Sequence, residues 1–289
     1  MNSPQKPEHL FQFELTPVEN IKPWGDNDGD LSLSLYALTD GHFRISVGKE
    51  ALLRYTPAII SHWGLSNEDA EYQVACFARD VLDSVSAATS PIPVFFENIV
   101  RDESLFRQLQ KSPAQCSHQK VPAGVIAELE VEKTNADFKQ DHYNAFRWLG
   151  ERSIWLNYLT SSPDIWFVRV GNEVWIQWNN VDRKFEGIDV WTAQRGTYSI
   201  SVQAFLAECR SFSERLLSAM ESRILSIENG SVRAQIPLDT ASLRNQLFAF
   251  KSEFEKSLSA KYQPDIGWEE SETAMRAIAF KSGITLPPV

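Results

Sequence analysis

Residues 163–193 read PDIWFVRVGNEVWIQWNNVDRKFEGIDVWTA and carry Trp166, Trp175, Trp178 and Trp191 in short β-branched runs around the turn Gly171-Asn172. Flat rings and branched stems pack well on a pleated surface, so this ribbon predicts a sheet core with strands near Ile165–Val170, Val174–Trp178 and Ile188–Ala193. Strict alternation along the first strand places Trp166, Val168 and Val170 on one face. Ile165, Phe167 and Arg169 then share the other, so Arg169 stands among apolar neighbours. A cation in that setting needs an acid or a ring beside it, for structural order or to grip an anionic group.

Working towards the N-terminus, FQFEL at 11–15 alternates like a strand and is halted by Pro17, with a second break at Pro23 and Gly25; it reads as an edge strand. DNDGD at 26–30 reads as a loop and LSLSLYA at 31–37 as a strand with Leu31, Leu33 and Leu35 on its buried face. His42–Val47 and Ala51–Tyr55 complete a three-stranded meander around turns at Gly41 and Gly48. Ser66-Asn67-Glu68-Asp69 resembles a helix start, with a stripe of apolar residues running on to about Ala88 and prolines at 91 and 93 ending it. A shorter helix is expected over Glu97–Gln110, a polar loop over 111–122, and one aromatic helix with a weak point at Gly150 over 136–160. Towards the C-terminus, helices are expected over Val202–Ile227, over Thr240–Ser259 with Asp239 as its cap, and near Glu270–Ser282. The reading is an α+β fold in which an antiparallel sheet, built from the N-terminal meander and the Trp-rich ribbon, is covered by helices. At 289 residues it is one elaborated domain, 1–289, with a minor boundary in the loop 111–124.

Charge and motifs narrow the function. With 38 acidic against 28 basic side chains the formal charge is -10, which disfavours nucleic acid as a partner; it serves solubility in the ordinary way and would also help steer a basic protein. Cys76, Cys116 and Cys209 are odd in number and far apart, so no disulfide framework is expected and a reducing cytoplasm is the expected home. The N-terminus lacks a signal-peptide pattern and no apolar run reaches the about 18 residues of a membrane span. No nucleotide-binding glycine motif occurs, and the five histidines show no metal-ligand spacing, so neither cofactor nor metal is expected. Ser46-x-x-Lys49 closes a strand at a turn rather than opening a helix, and Cys116 with His118 lies on a polar segment where neighbouring side chains diverge.

Two constellations stay open as sites. Asp137 and Asp141 are like charges one helical turn apart beside His142, Arg147 and Glu151, either a solvated helix face or a place for an outside cation or partner. Asp182, Arg183, Lys184 and Glu186 form a charged loop on a rigid sheet, either a connection or a contact surface. Arg169 and Arg147 are the candidates for orienting an anion.

The order of FQFELTPVENIKPWG at 11–25, LTDGHFRISVG at 38–48, LLRY at 52–55 and PDIWFVRVGNEVWIQW at 163–178, continuing through VWTA at 190–193, resembles an uncharacterised family of bacterial proteins classed only as a domain of unknown function. The resemblance transfers no catalytic residue. It implies a stand-alone cytoplasmic bacterial protein similar to the immunity proteins of interbacterial toxin systems. The expected function is therefore a binding protein, most concretely an immunity protein that neutralises a basic toxin through an acidic surface. The alternatives are an enzyme with a carboxylate/arginine site between the Trp-rich sheet and helix 136–160, using Asp164 or Glu151 with Arg169 or Arg147, and a scaffold or homo-oligomer.

Overall fold

The computed structural model describes residues 9–23, 33–116, 125–265 and 267–287, with the side chains of all but 112–116 and 125–137. The chain gathers into two compact units. The first comprises Met1–Thr89, Ser153–Val168 and Asn172–Lys261; the second Ser90–Arg152, Arg169–Gly171 and Tyr262–Val289.

In the first unit, β1 (Phe11–Leu15) runs antiparallel along β2 (Asp40–Val47), with Phe11 opposite Ile45 and Leu15 opposite Gly41. The other edge of β2 is shared by β3 (Glu50–Leu52) and β4 (Ala70–Gln73). A second sheet has the order β5 (Ile165–Val170), β6 (Glu173–Asn179), β9 (Arg195–Ser201), and a small hairpin joins β7 (Lys184–Phe185) to β8 (Ile188–Asp189). Helices α1 (Pro57–Trp63), α2 (Val74–Thr89), α6 (Val202–Glu228) and α7 (Thr240–Ser259) complete the unit. The α+β architecture with antiparallel sheets is the one the patterning predicts.

Capping chemistry sets the helix starts. Ser201 Oγ accepts the Ala204 N–H at α6, and Asp239 accepts the Ser242 N–H at α7, as its position predicts. Helix α1, not anticipated, is announced by Thr56 accepting the Ile59 N–H, Pro57 in the first turn, and Gly64 in the left-handed region at its end.

Four local readings are corrected. Leu33 and Leu35 are buried, but they do not form a strand: Ser34 accepts the Ala37 N–H through Oγ and the Leu38 N–H through its carbonyl, folding 35–39 into a turn and a short 3-10 helix. Strand β1 therefore takes the place beside β2 that the meander reading gave to 31–37. Asn67 closes a local turn by accepting the Asp69 N–H, so Ala70–Gln73 pair with β2 and the helix starts only at Val74. The 97–110 helix is two, α3 (Val94–Arg101) and α4 (Glu103–Cys116), and α4 includes 111–116 of the expected loop. Helix α5 (Val125–Gly150) stops at its glycine, because Ile154 donates to the Ile165 carbonyl and draws the following residues onto β5. The expected loop 26–30, Leu31, His118 and the side chain of Asp137 lie outside the described residues.

The exposed edge of β1 is stitched by one stripe of α6. Glu208 accepts the Leu10 N–H at 2.9 Å, Arg215 donates to the Phe11 carbonyl at 2.6 Å, and Arg223 donates to the carbonyls of Thr16 and Leu38, each at 2.5 Å. The Phe11 bond satisfies a carbonyl on the outer edge of β1, and the others hold main-chain groups at the two ends of the strand and in the turn before β2. Desolvation lowers the pKa of both arginines.

The second unit is helical: α3, α4, α5 and α8 (Trp268–Lys281), with α5 against α8 as its main packing. Phe96, Trp148, Met275 and Ile278 are core residues. Arg152 is fully buried among the rings of Tyr262, Trp268 and Trp148, at 4.6, 5.4 and 5.6 Å from their centroids. Its Nη1 donates to the Trp148 carbonyl and the Tyr262 hydroxyl, while its Nε and Nη2 have no conventional acceptor and face a π-lined enclosure.

In the second sheet of the first unit, buried Trp178 lies flat over Gly196, its cross-strand partner. A Cβ on Gly196 would stand 2.2 Å from Trp178 Cζ2. Gly196→Ala should destabilise the first unit by about 3 kcal/mol, the upper range for overpacking a tight core; an unchanged urea midpoint would contradict this geometry.

Candidate functional site

The charged groups that the sequence singles out are mostly engaged inside the chain. Arg183 is ion-paired with Asp164, Lys184 lies 3.6 Å from Asp189, and Glu186 lies 3.5 Å from His62. Asp182 is exposed and lends its carbonyl to the Lys184 N–H. This stretch is a connection in its local chemistry, with Glu186 and Gly187 both at positive φ in a tight hairpin turn. Asp141 accepts from Lys281 at 2.8 Å, and Arg147 is bound to Tyr143 and Asp265. Arg169 donates through Nε to the Gly171 carbonyl at 2.8 Å. Glu151 accepts from the Tyr262 hydroxyl and the Asp265 N–H, while Asp164 is held by Arg183.

The densest group of perturbed side chains lies elsewhere, in the first unit, where β4 passes into α2. Cys76 and Asp80 stand one turn apart on α2, Tyr72 comes from β4, Asp40 from the start of β2, and Tyr158 from the segment before β5. The rings of Tyr72 and Tyr158 stack at 4.3 Å with an interplanar angle of 15°. Arg79 reaches Tyr36 from the same helix turn, with its Nη1 3.4 Å from the hydroxyl. Cys76 Sγ lies 3.5 Å from Gln73 Oε1. Tyr36, Asp40, Tyr72, Cys76, Asp80 and Tyr158 are all part-exposed, and Arg79 and Asp83 are exposed, so solvent reaches the group.

The electrostatics follow from half-burial of acids with too little positive charge. Desolvation pushes Asp80 up to about 6, with Asp83 adding to the rise and Tyr158 and Arg79 opposing it. Desolvation likewise pushes Asp40 up to about 6, reinforced by Glu71 and opposed by Arg223. Burial pushes the Cys76 thiol up to about 11, so it is a neutral thiol at neutral pH rather than a thiolate nucleophile. Tyr158 is raised by burial and by Asp80 beside it. Asp80 Oδ2 and the Tyr158 hydroxyl are both buried, and the hydroxyl faces the Asp80 carboxylate as its donor. Such a slot has two uses in chemistry: to exchange protons near pH 6, or to accept a cation that replaces the missing solvation.

Sequence reading missed this group because its members come from four separate segments. Tyr72 was legible only as part of a helical stripe and Cys76 only as a lone cysteine. The one available signal was that Cys76, Arg79, Asp80 and Asp83 share a face of α2, whose other face is the apolar stripe of Val74, Phe77, Ala78, Val81, Leu82 and Val85.

Linkage gives a test. A carboxyl whose pKa is higher folded than unfolded stabilises the fold below its unfolded value and loses that contribution as pH rises through about 6. Asp80→Asn, which resembles the protonated acid, should therefore be more stable than the parent at pH 7, by about 1 kcal/mol after allowance for solvent screening. The gap should close by pH 4. Urea unfolding at the two pH values measures it, and a gap that grows on acidification contradicts the assignment.

Among the described residues no group of His, Cys, Asp and Glu is arranged to hold a metal ion, and no helix is long and apolar enough to cross a membrane. No curated protein and no solved structure matched the chain. A family model described as a family of unknown function, DUF5984, matches residues 10–274. That match takes in both sheets, the carboxyl–tyrosine group and the helices from α1 through the first half of α8, and the chain is a member of the DUF5984 family.

Proposed function

We propose that this chain is a cytoplasmic binding protein for a basic protein partner, and most concretely an immunity protein that neutralises a toxin by direct contact. The observation that carries the reading is the slot around Asp40 and Asp80. Two half-buried carboxyls stand beside stacked tyrosines, and burial raises both because the neighbouring Arg79, Arg223 and Tyr158 offset it only in part. A lysine ammonium or arginine guanidinium from a partner supplies what this slot lacks: positive charge for the carboxylates and donors for their oxygens, with tyrosine faces beside it. Aromatic and charged anchors of this kind sit at the energetic centres of protein interfaces. The excess of ten acidic side chains across the chain adds long-range attraction for such a partner and speeds encounter. The toxin-neutralising step rests on the acidic balance and on the likeness to immunity proteins, and is proposed on those grounds alone.

Co-expression with the product of the neighbouring gene tests the reading. The two proteins should co-purify, toxicity should be relieved, and binding should weaken as pH falls below about 6, where the carboxyls take up protons. The double variant Asp40→Asn, Asp80→Asn should keep a cooperative fold and lose at least about tenfold in affinity, the effect of one charged contact worth about 1.4 kcal/mol. Unrelieved toxicity without a complex defeats the reading. Full affinity in the double variant removes the slot from it.

A further inference from the structure

The two sheets of the first unit treat their edges differently. Strand β1 is stitched by three ionic side chains of α6. Strand β9, at the end of the order β5, β6, β9, pairs along all seven of its residues with β6 and has no strand on its other side among the described residues. Gln194 accepts from Asn180 N, and Val202 donates to the Asn172 carbonyl, so the even-numbered residues between them turn their main-chain groups towards β6. Arg195, Thr197 and Ser199 turn theirs away. Those N–H and C=O groups have no partner among the described residues, and all three residues are exposed. The register has no bulge, and the strand RGTYSIS holds neither proline nor lysine, so the usual devices that blunt an edge are missing.

We infer that β9 is the self-association edge of this protein, pairing antiparallel with β9 of a second copy about a two-fold axis at Tyr198. In that register Thr197 faces Ser199 of the partner subunit and Arg195 faces Ser201 of the partner subunit. Parity is satisfied, because outward-facing odd residues meet outward-facing odd residues. The central Thr197 and Ser199 pairs exchange about four main-chain hydrogen bonds and join two three-stranded sheets into one of six.

Charge complementarity favours a second copy as the occupant. Ser201 pairs with Glu173 on β6, so the dimer builds a row from Arg195 across Ser201 of the partner subunit to Glu173 of the partner subunit. Two strand spacings, about 10 Å, separate the ends of that row, and long Arg and Glu side chains close the gap over a short serine. The two-fold axis makes the contact twice. Both charges are exposed in the single chain, with Arg195 lying only 3.3 Å from a neutral partner, Asn179 Oδ1.

Sedimentation or light scattering over a micromolar concentration series tests the inference on the full chain, independently of any toxin. The parent should pass reversibly from single to double chain mass. Thr197→Pro removes one outward N–H without touching the β6 ladder and should raise the dissociation constant at least tenfold. Arg195→Glu should do the same by opposing Glu173, and the exchange Arg195→Glu with Glu173→Arg should restore the dimer. That rescue reads the interface even if the proline variant fails to fold. A parent that stays single at all concentrations overturns the inference, as does a dimer indifferent to the charge exchange. Amide protection of Thr197 and Ser199 only on adding another protein would likewise overturn it, assigning the edge to a foreign strand.

Discussion

The first unit depends on one ring. Phe11, on β1, is fully buried and touches Phe77 of α2, Phe167 of β5, and Phe205 and Phe212 of α6, with centroids 5.4 to 6.3 Å apart. A single side chain thus joins the first sheet, the second sheet and the two helices packed with them. The edge-to-face and offset geometries are those in which the positive rim of one ring meets the negative face of another, adding to the burial of apolar area. The placement of β1 therefore governs the rest. The ionic stitching by Glu208, Arg215 and Arg223 fixes that strand laterally while Phe11 fixes it in depth.

What the amino-acid pattern disclosed was whatever rests on local chemistry. The ribbon 165–179, the capped helices after Ser201 and Asp239, and β1 as an edge strand follow from alternation and capping, and they stand where these rules put them. Errors arose where a side-chain oxygen close by, or a strand far along the chain, overrode the periodic signal. Ser34 and Asn67 used side-chain oxygens to bend the main chain, and the aromatic run after Gly150 was claimed by β5 rather than by its helix. Strand β9 went unread because Gly196 and the small polar residues around it look like a loop, although the glycine is there to admit Trp178.

The charged residues carry the same lesson. Asp182–Glu186, Asp141 and Arg147 stand out by sequence because charges crowd there, yet Arg183, Arg147 and Asp141 find their partners in Asp164, Asp265 and Lys281, which the fold brings from elsewhere. The slot of Asp40 and Asp80 is the reverse case. Its acids are scattered in sequence and each is brought near Cys76 by β2 and α2, where burial outweighs the arginine beside each of them. A surplus of one sign is visible in composition, whereas an unmet surplus at one point needs the fold to create it.

The enclosure of Arg152 has an optical consequence. The helical unit's two tryptophans, Trp148 and Trp268, both lie against that guanidinium, whereas the other described tryptophans belong to the sheet-bearing unit. A permanent positive charge beside an indole perturbs its excited state, so emission from these two rings carries the signature of a neighbouring cation. The chain thus holds a built-in spectroscopic marker for its helical half, distinguishable in colour from the glow of the sheets.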